Sequence, residues 1–218
     1  DIVDSRTLRV KRRIHLSGRP NNVSVSKDGR KVYVAIRELP GAVDVIDTLL
    51  MTNIKTIPTE GAIHNVYVTP DGKHAVAGSI EARTINVIDT TNDELAWTLK
   101  MSAGVRPMAF NSHADGSTQN IFLQLSGFHG FAVVDFNLRK EIARVAHPPV
   151  PGERAHSDGL QGAPTHGLGV SPDGKTLWST SKVYRQDSFS FFGNSVLNVL
   201  WINIHCSRLN ICQNRCCA

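Results

Sequence analysis

The first 205 residues contain no cysteine. The four present, Cys206, Cys212, Cys216 and Cys217, all fall in the last thirteen positions. No disulfide or thiolate metal site can therefore staple the body of the fold. No apolar run approaches the 18 or more residues of a membrane-spanning helix, and no stretch sustains the 3.6-residue period of an amphipathic helix. The chain begins at Asp1 with neither a charged n-region nor an apolar h-region, so it reads as a processed product or a fragment. The GxSxG elbow, HExxH, the P-loop and GxGxxG are also missing, which removes the sequence signatures of serine hydrolases, zincins, NTPases and dinucleotide binding. The net charge of +5 is scattered. Its one tight cluster, Lys11-Arg12-Arg13, lacks the interleaved aromatics of a single-strand-binding surface and reads as a solvated strand end. Nucleic acid is not an expected partner.

What the chain does contain is a repeated hairpin. In Val23 to Ala35, VSVSKDGRKVYVA, two alternating strands flank Asp28-Gly29, where glycine supplies the positive φ that a tight turn needs. The same turn recurs at Asp71-Gly72, Asp115-Gly116 and Asp173-Gly174. A second landmark is a strand ending in aspartate, at Asp4, Asp47, Asp89 and Asp135, spaced by 43, 42 and 46 residues. Repeats of this length holding about four short strands predict an all-β β-propeller, in which four-stranded blades stack face to face. The sequence opens at the third strand of one repeat, contains three whole ones and reaches the second strand of another, about four blades' worth. An open arc of a larger ring is expected, with strand edges available for oligomerisation. The aspartates with following threonines, Asp47-Thr48 and Asp89-Thr90, predict Asx turns between third and fourth strands. Asn22-Val23-Ser24 matches a glycosylation sequon but lies on a predicted inner strand and reads as a chance match. Trp97 and Trp178 are expected to pack between blades.

Residues 1–184 carry the repeats and 185–218 leave their register. A fifth strand-end Asp is due near position 192, where Phe191-Phe192-Gly193 stands instead, and an alternating strand from Val196 arrives about eight residues late. His205 and the four cysteines lack a proper CxxC pair, so a metal site is not expected there.

Ser26 to Ala35 (SKDGRKVYVA) and Val170 to Trp178 (VSPDGKTLW) resemble the core of YVTN-type β-propeller repeats, and Val45 to Thr48 and Val87 to Thr90 (VIDT) are similar to the segment that precedes it. The likeness covers residues 1–183. It implies a seven- or eight-bladed parent and a periplasmic or extracellular setting. Families of this type include extracytoplasmic binding proteins, lactonase-like enzymes and haem d1 domains, and the fold alone selects none of these.

Ligand residues of a propeller are expected just before each first strand, at one mouth of the channel. Counting seven residues back from each turn Asp gives Asn21, His64, Met108 and His166, which places two histidines at one repeat position. Imidazole is a common metal or haem ligand and a general base near neutral pH. Each histidine could equally cap its strand through a ring hydrogen bond. The long insertion 147–165 adds Glu153, Arg154, His156 and Asp158 beside His166, and long loops on repeat scaffolds often carry function. The expected function is a non-catalytic repeat protein binding a small molecule or protein at this mouth, without a cofactor. The alternative is a lactonase-like or haem-d1-like enzyme using His64 or His166, with haem or a metal ion.

Overall fold

Three of the four Asp-Gly turns are held by a hydroxyl two residues upstream of the Asp. In the computed structural model, Ser26 Oγ donates to Asp28 Oδ1 at 2.7 Å and accepts from Lys31 N at 2.8 Å. Thr69 repeats this with Asp71 and His74 at 2.6 and 3.1 Å, and Ser171 with Asp173 and Thr176 at 2.5 and 2.9 Å. His113 holds the equivalent position in the third turn, so Ser117 takes over, donating to Asp115 from N and Oγ at 2.9 and 2.6 Å. These donors, the hydroxyl first, hold Asp28 and Asp173 below the usual carboxylate range.

The structure describes residues 1–147, 162 and 164–181, and the backbone of 198–205 and 208–212. It forms two compact units, Asp1–Ser102 and Ala103–Ala218. The first unit opens with a two-stranded sheet, β1 (Ile2–Val3) and β2 (Val10–Arg12). Two four-stranded antiparallel sheets follow, each in chain order: β3 (Pro20–Val25), β4 (Lys31–Ile36), β5 (Ala42–Asp47) and β6 (Thr52–Pro58), then β7 (Ile63–Val68), β8 (His74–Ser79), β9 (Thr84–Asp89) and β10 (Glu94–Lys100). The second unit holds β11 (Val105–Ser112), β12 (Thr118–Leu125), β13 (Gly130–Asp135) and β14 (Lys140–Ala146), then β15 (Thr165–Val170), β16 (Thr176–Ser181), β17 (Asn198–His205) and β18 (Arg208–Cys212). β17 arrives late against the repeat period, yet it pairs with β16 from Thr176–Asn203 to Ser181–Asn198 and then with β18. No helix among the described residues is long and apolar enough to cross a membrane.

Within the sheets β3–β6, β7–β10 and β11–β14 the two middle strands bury both faces while the fourth alternates. Five of six positions in β5 and β9 are buried, whereas β6 and β10 expose every second side chain or more. In the first unit Tyr33, Ala35, Val43, Val45 and Ile57 of one blade pack with Ile63, Val66, Ala75, Ala77 and Ile88 of the next. In the second, Phe122, Phe131, Val133 and Val145 meet Leu177, Leu168 and Val170. Each valine, leucine, isoleucine or phenylalanine among them contributes about 1.5–3 kcal/mol through burial. The other face of the β3–β6 sheet, with Val34, Ile36, Ala42 and Ile46, is covered in part by Ile14 and Leu16, while Val23 and Val25 of β3 stay exposed.

Polar contacts fix the stacking. Asn22 Oδ1 and Ser24 Oγ on β3 accept from Val66 N and Val68 N of β7 at 2.9 and 3.0 Å. Asn22 thereby ties β3 to β7 through its side-chain carbonyl. Lys31 Nζ reaches Asp93 Oδ2 at 2.7 Å and Thr90 O at 3.0 Å, and buried Tyr33 donates its hydroxyl to Asp93 Oδ1 at 2.8 Å. Burial, reinforced by the Asp93 carboxylate, pushes the Tyr33 phenol well above its ordinary value. The strand-end aspartates make the expected Asx turns. Asp47 Oδ1 accepts from Leu49 N and Leu50 N, Asp89 Oδ1 from Thr91 N and Asp135 Oδ1 from Leu138 N, each at 2.7–2.8 Å. Four residues after Asp4, Asp47, Asp89 and Asp135, the chain takes positive φ at Leu8, Met51, Asp93 and Arg139.

Gly41 (φ +100°) shows how tightly neighbouring loops meet, since a Cβ there would collide with the carbonyl of Gly61. Gly29 has φ +73° but nothing within 4 Å of its would-be Cβ. Gly41→Ala is expected to cost about 2–3 kcal/mol from collision and backbone strain together, and Gly29→Ala about 1 kcal/mol from strain alone. Urea denaturation of both variants measures the difference, and equal losses would contradict the tight loop contact.

Candidate functional site at the blade-start ends

Every first strand begins with a β-bulge. Pro20 and Asn22 oppose the adjacent residues Ile36 and Ala35, leaving Asn21 unpaired; Ile63 and Asn65 oppose Ser79 and Gly78, leaving His64. In β11 the extra residue falls between Val105 and Met108, and in β15 between Thr165 and Leu168. A bulge re-aims the side chain that it releases, which is why bulges gather beside binding sites. Counted from the bulge, Arg106 occupies the position of His64 and His166. Met108, given by counting back from the turn, is a core residue 3% exposed. The count slips because β11 has eight residues where β3, β7 and β15 have six.

In the first unit, Asn21 Nδ2 donates to His64 O at 2.5 Å and lies 3.3 Å from His64 Nδ1, so the ring engages the neighbouring strand. At the same end of the sheets, the segments before β3 and β7 and the loops after β4 and β8 enclose a groove of about 560 Å³. Arg19, Arg37, Glu38, Leu39, Ala62 and Glu81 line it.

In the second unit His166 is exposed on β15. Beside the strand starts lies a polar cluster that the repeat pattern does not single out. Arg106, 4% exposed, donates from Nε to Ser126 Oγ at 3.1 Å. Gln124 Nε2 donates to Gly167 O at 3.2 Å, and Thr165 Oγ1 donates to Gly130 O at 3.0 Å. His129 Nε2 lies 2.8 Å from Ser181 Oγ, the separation of a base–nucleophile pair, but Ser181 is fully buried and cannot meet a substrate. The rings of His129 and His147 stand edge to face with centroids 5.0 Å apart. His147 is 4% exposed and neither ring nitrogen has a hydrogen-bond partner among the described residues. Burial, with a smaller contribution from His129, pushes the His147 imidazole down to about 4. The sequence signal for this cluster is slight: His129 precedes a third strand and His147 follows a fourth, outside the positions at which the landmarks repeat.

His64 and His166 thus sit in the bulges of first strands in different units. Glu153, Arg154, His156 and Asp158 lie outside the described residues. Among the described residues, no group of three or more His, Cys, Asp or Glu side chains could hold a metal ion.

No family model and no curated protein matches the sequence. Among solved structures, the chain is similar to hydrazine synthase of Kuenenia stuttgartiensis, with a TM-score of 0.67 and 20% identity over 97% of this chain. The chain spans 59% of the length of that chain. Likeness to this propeller-containing protein, together with the antiparallel four-stranded sheets, defines the class: an all-β protein of the β-propeller fold.

An imidazole that titrates at about 4 in the fold and near 6.5 when unfolded binds its extra proton in the unfolded chain between those values. Stability from neutral His147 is therefore complete above about 6.5 and lost as pH falls toward 4, by on the order of 3 kcal/mol. Comparing urea midpoints at pH 7.5 and 4.5, the wild type should lose clearly more than His147→Phe. Equal losses would show that His147 does not carry this pH dependence.

Proposed function

We propose that the protein is a non-catalytic β-propeller repeat protein of the YVTN type that binds a polar ligand or partner where its first strands begin. The observation that carries this reading is the recurrent bulge, which places Asn21, His64, Arg106 and His166 at one position of successive repeats. Four repeats depart from regular pairing at the same point, and Asn21, His64 and His166 bring an amide and two imidazoles there, while Arg106 is buried against Ser126. A packing role alone would favour apolar residues at that point, as it does along β4 and β5. The complete burial of Ser181 beside His129 supports binding over acyl-transfer chemistry. The reading requires no cofactor. The resemblance of the repeats to extracytoplasmic binding proteins supports an exported protein as its setting.

A thermal-shift screen of polar small molecules and short peptides tests the assignment. A true ligand at 100 times its Kd should add about 2.7 kcal/mol of stability to the wild type. The double variant His64→Ala/His166→Ala, with its far-ultraviolet circular dichroism unchanged, should lose most of that gain. A ligand that stabilises wild type and double variant equally would place binding elsewhere.

A further inference from the structure

The groove of the first unit has a lining whose chemistry can be read in its own right. Arg37 N donates to Arg19 O at 2.8 Å, so the two arginines leave adjacent points of paired backbone. Neither guanidinium forms an ion pair among the described residues, although ion pairs form elsewhere in the same unit. Each guanidinium on the groove lining offers a planar fork of donors suited to a carboxylate. The remaining lining narrows the choice of ligand. Glu38 Oε2 accepts from Arg19 N at 2.9 Å, which anchors one carboxylate at the wall. Glu81, exposed on the loop between β8 and β9, brings a second. Buried Ala62 and Leu39, which is 77% exposed, supply apolar surface. Two cations and two anions give the groove no net formal charge, so a simple anion would gain from the arginines and lose to the glutamates. A ligand carrying both signs on an apolar body gains from both pairs.

We infer that this groove binds a small zwitterion of the amino-acid or short-peptide class, its carboxylate on Arg19 and Arg37, its ammonium toward Glu81 and its apolar body over Leu39 and Ala62. A volume of about 560 Å³ lies within the range of small-molecule pockets, and the exposed Leu39 gains a contact that it otherwise lacks. The inference rests on the proposal that the blade-start ends bind ligands, and it names the ligand class for one of them.

Isothermal titration of the full chain with dileucine, its N-acetyl derivative and its C-terminal amide tests it. Dileucine should bind the most tightly. The amide, lacking the carboxylate, should bind at least tenfold more weakly, and the N-acetyl derivative, lacking the ammonium, severalfold more weakly. Arg37→Gln should weaken dileucine binding at least tenfold, with Arg37→Lys restoring part of it. Glu81→Gln should erase the preference for dileucine over its N-acetyl derivative while leaving the penalty of the amide in place. No heat from dileucine at 10 mM, or equal binding by wild type and Arg37→Gln, overturns the assignment. If dileucine fails while another ligand stabilises the protein in a manner dependent on His64 and His166, the zwitterion assignment alone is lost. If no ligand in either experiment produces a response, the binding proposal falls with it.

Discussion

The two middle strands of the sheets β3–β6, β7–β10 and β11–β14 have two faces to bury, and a sheet cannot cover both by itself. Tyr33, Ala35, Val43 and Val45 lie at 0% exposure because the next blade, with Ile63, Val66 and Ile88, is laid over them. Nearly continuous apolar runs such as those of β4 and β5 follow from that demand, since a strand with one wet face would alternate. The fourth strands, which stand at the edge, do alternate. Burial on two faces supplies the driving force for stacking but fixes neither the offset nor the angle between blades. The polar contacts fix these. Asn22 and Ser24 index β3 against β7 through backbone amides, and the group formed by Lys31, Tyr33 and Asp93 ties the second strand of one blade to a turn of the next. Such a half-buried charge has little to gain in net energy over an apolar substitute, yet it admits only one register.

Most of this was legible in the sequence because the relevant forces are local. An Asp-Gly turn needs only its own hydroxyl, carboxylate and glycine, so Ser26, Asp28 and Gly29 announce it and Ser171, Asp173 and Gly174 announce it again. The strand-end aspartates are read in the same way, from a carboxylate and the amides two or three residues on. Long-range partnerships were not legible. Nothing near Lys31 or Tyr33 in sequence points to Asp93. Nothing near Asp44 points to Ser17, whose N and Oγ both donate to its buried carboxylate, at 2.7 and 2.8 Å. Arg106 was missed for a geometric reason. Counting back from a turn assumes equal strand lengths, and β11 breaks that assumption by two residues while keeping its bulge.

The blade-start ends differ in kind from the rest of the fold. At the turn ends, each turn aspartate is matched within a few residues, and the same hydroxyl–carboxylate arrangement serves three of the four turns. At the strand starts the pairing is broken by design of the backbone, and the residues placed there differ from repeat to repeat: an amide at Asn21, imidazoles at His64 and His166, a guanidinium at Arg106. A structural requirement common to all repeats would select one residue type, as it does for the turn aspartate. Variation at a geometrically constant position is what a scaffold shows when the position is used to meet something outside the repeat.

The same contrast governs the energetics of His147. Loss of a hydrogen bond by a buried polar group costs about 1–3 kcal/mol, and both of its ring nitrogens are in that state among the described residues. An apolar residue of similar size would fill the space beside Phe131 and His129 without that cost. Its presence therefore subtracts from the stability supplied by the neighbouring inter-blade core of Phe122, Phe131 and Leu177. The core can sustain such a loss because its middle strands are buried on both faces, so the chain just past a fourth strand can hold a group that packs at a cost.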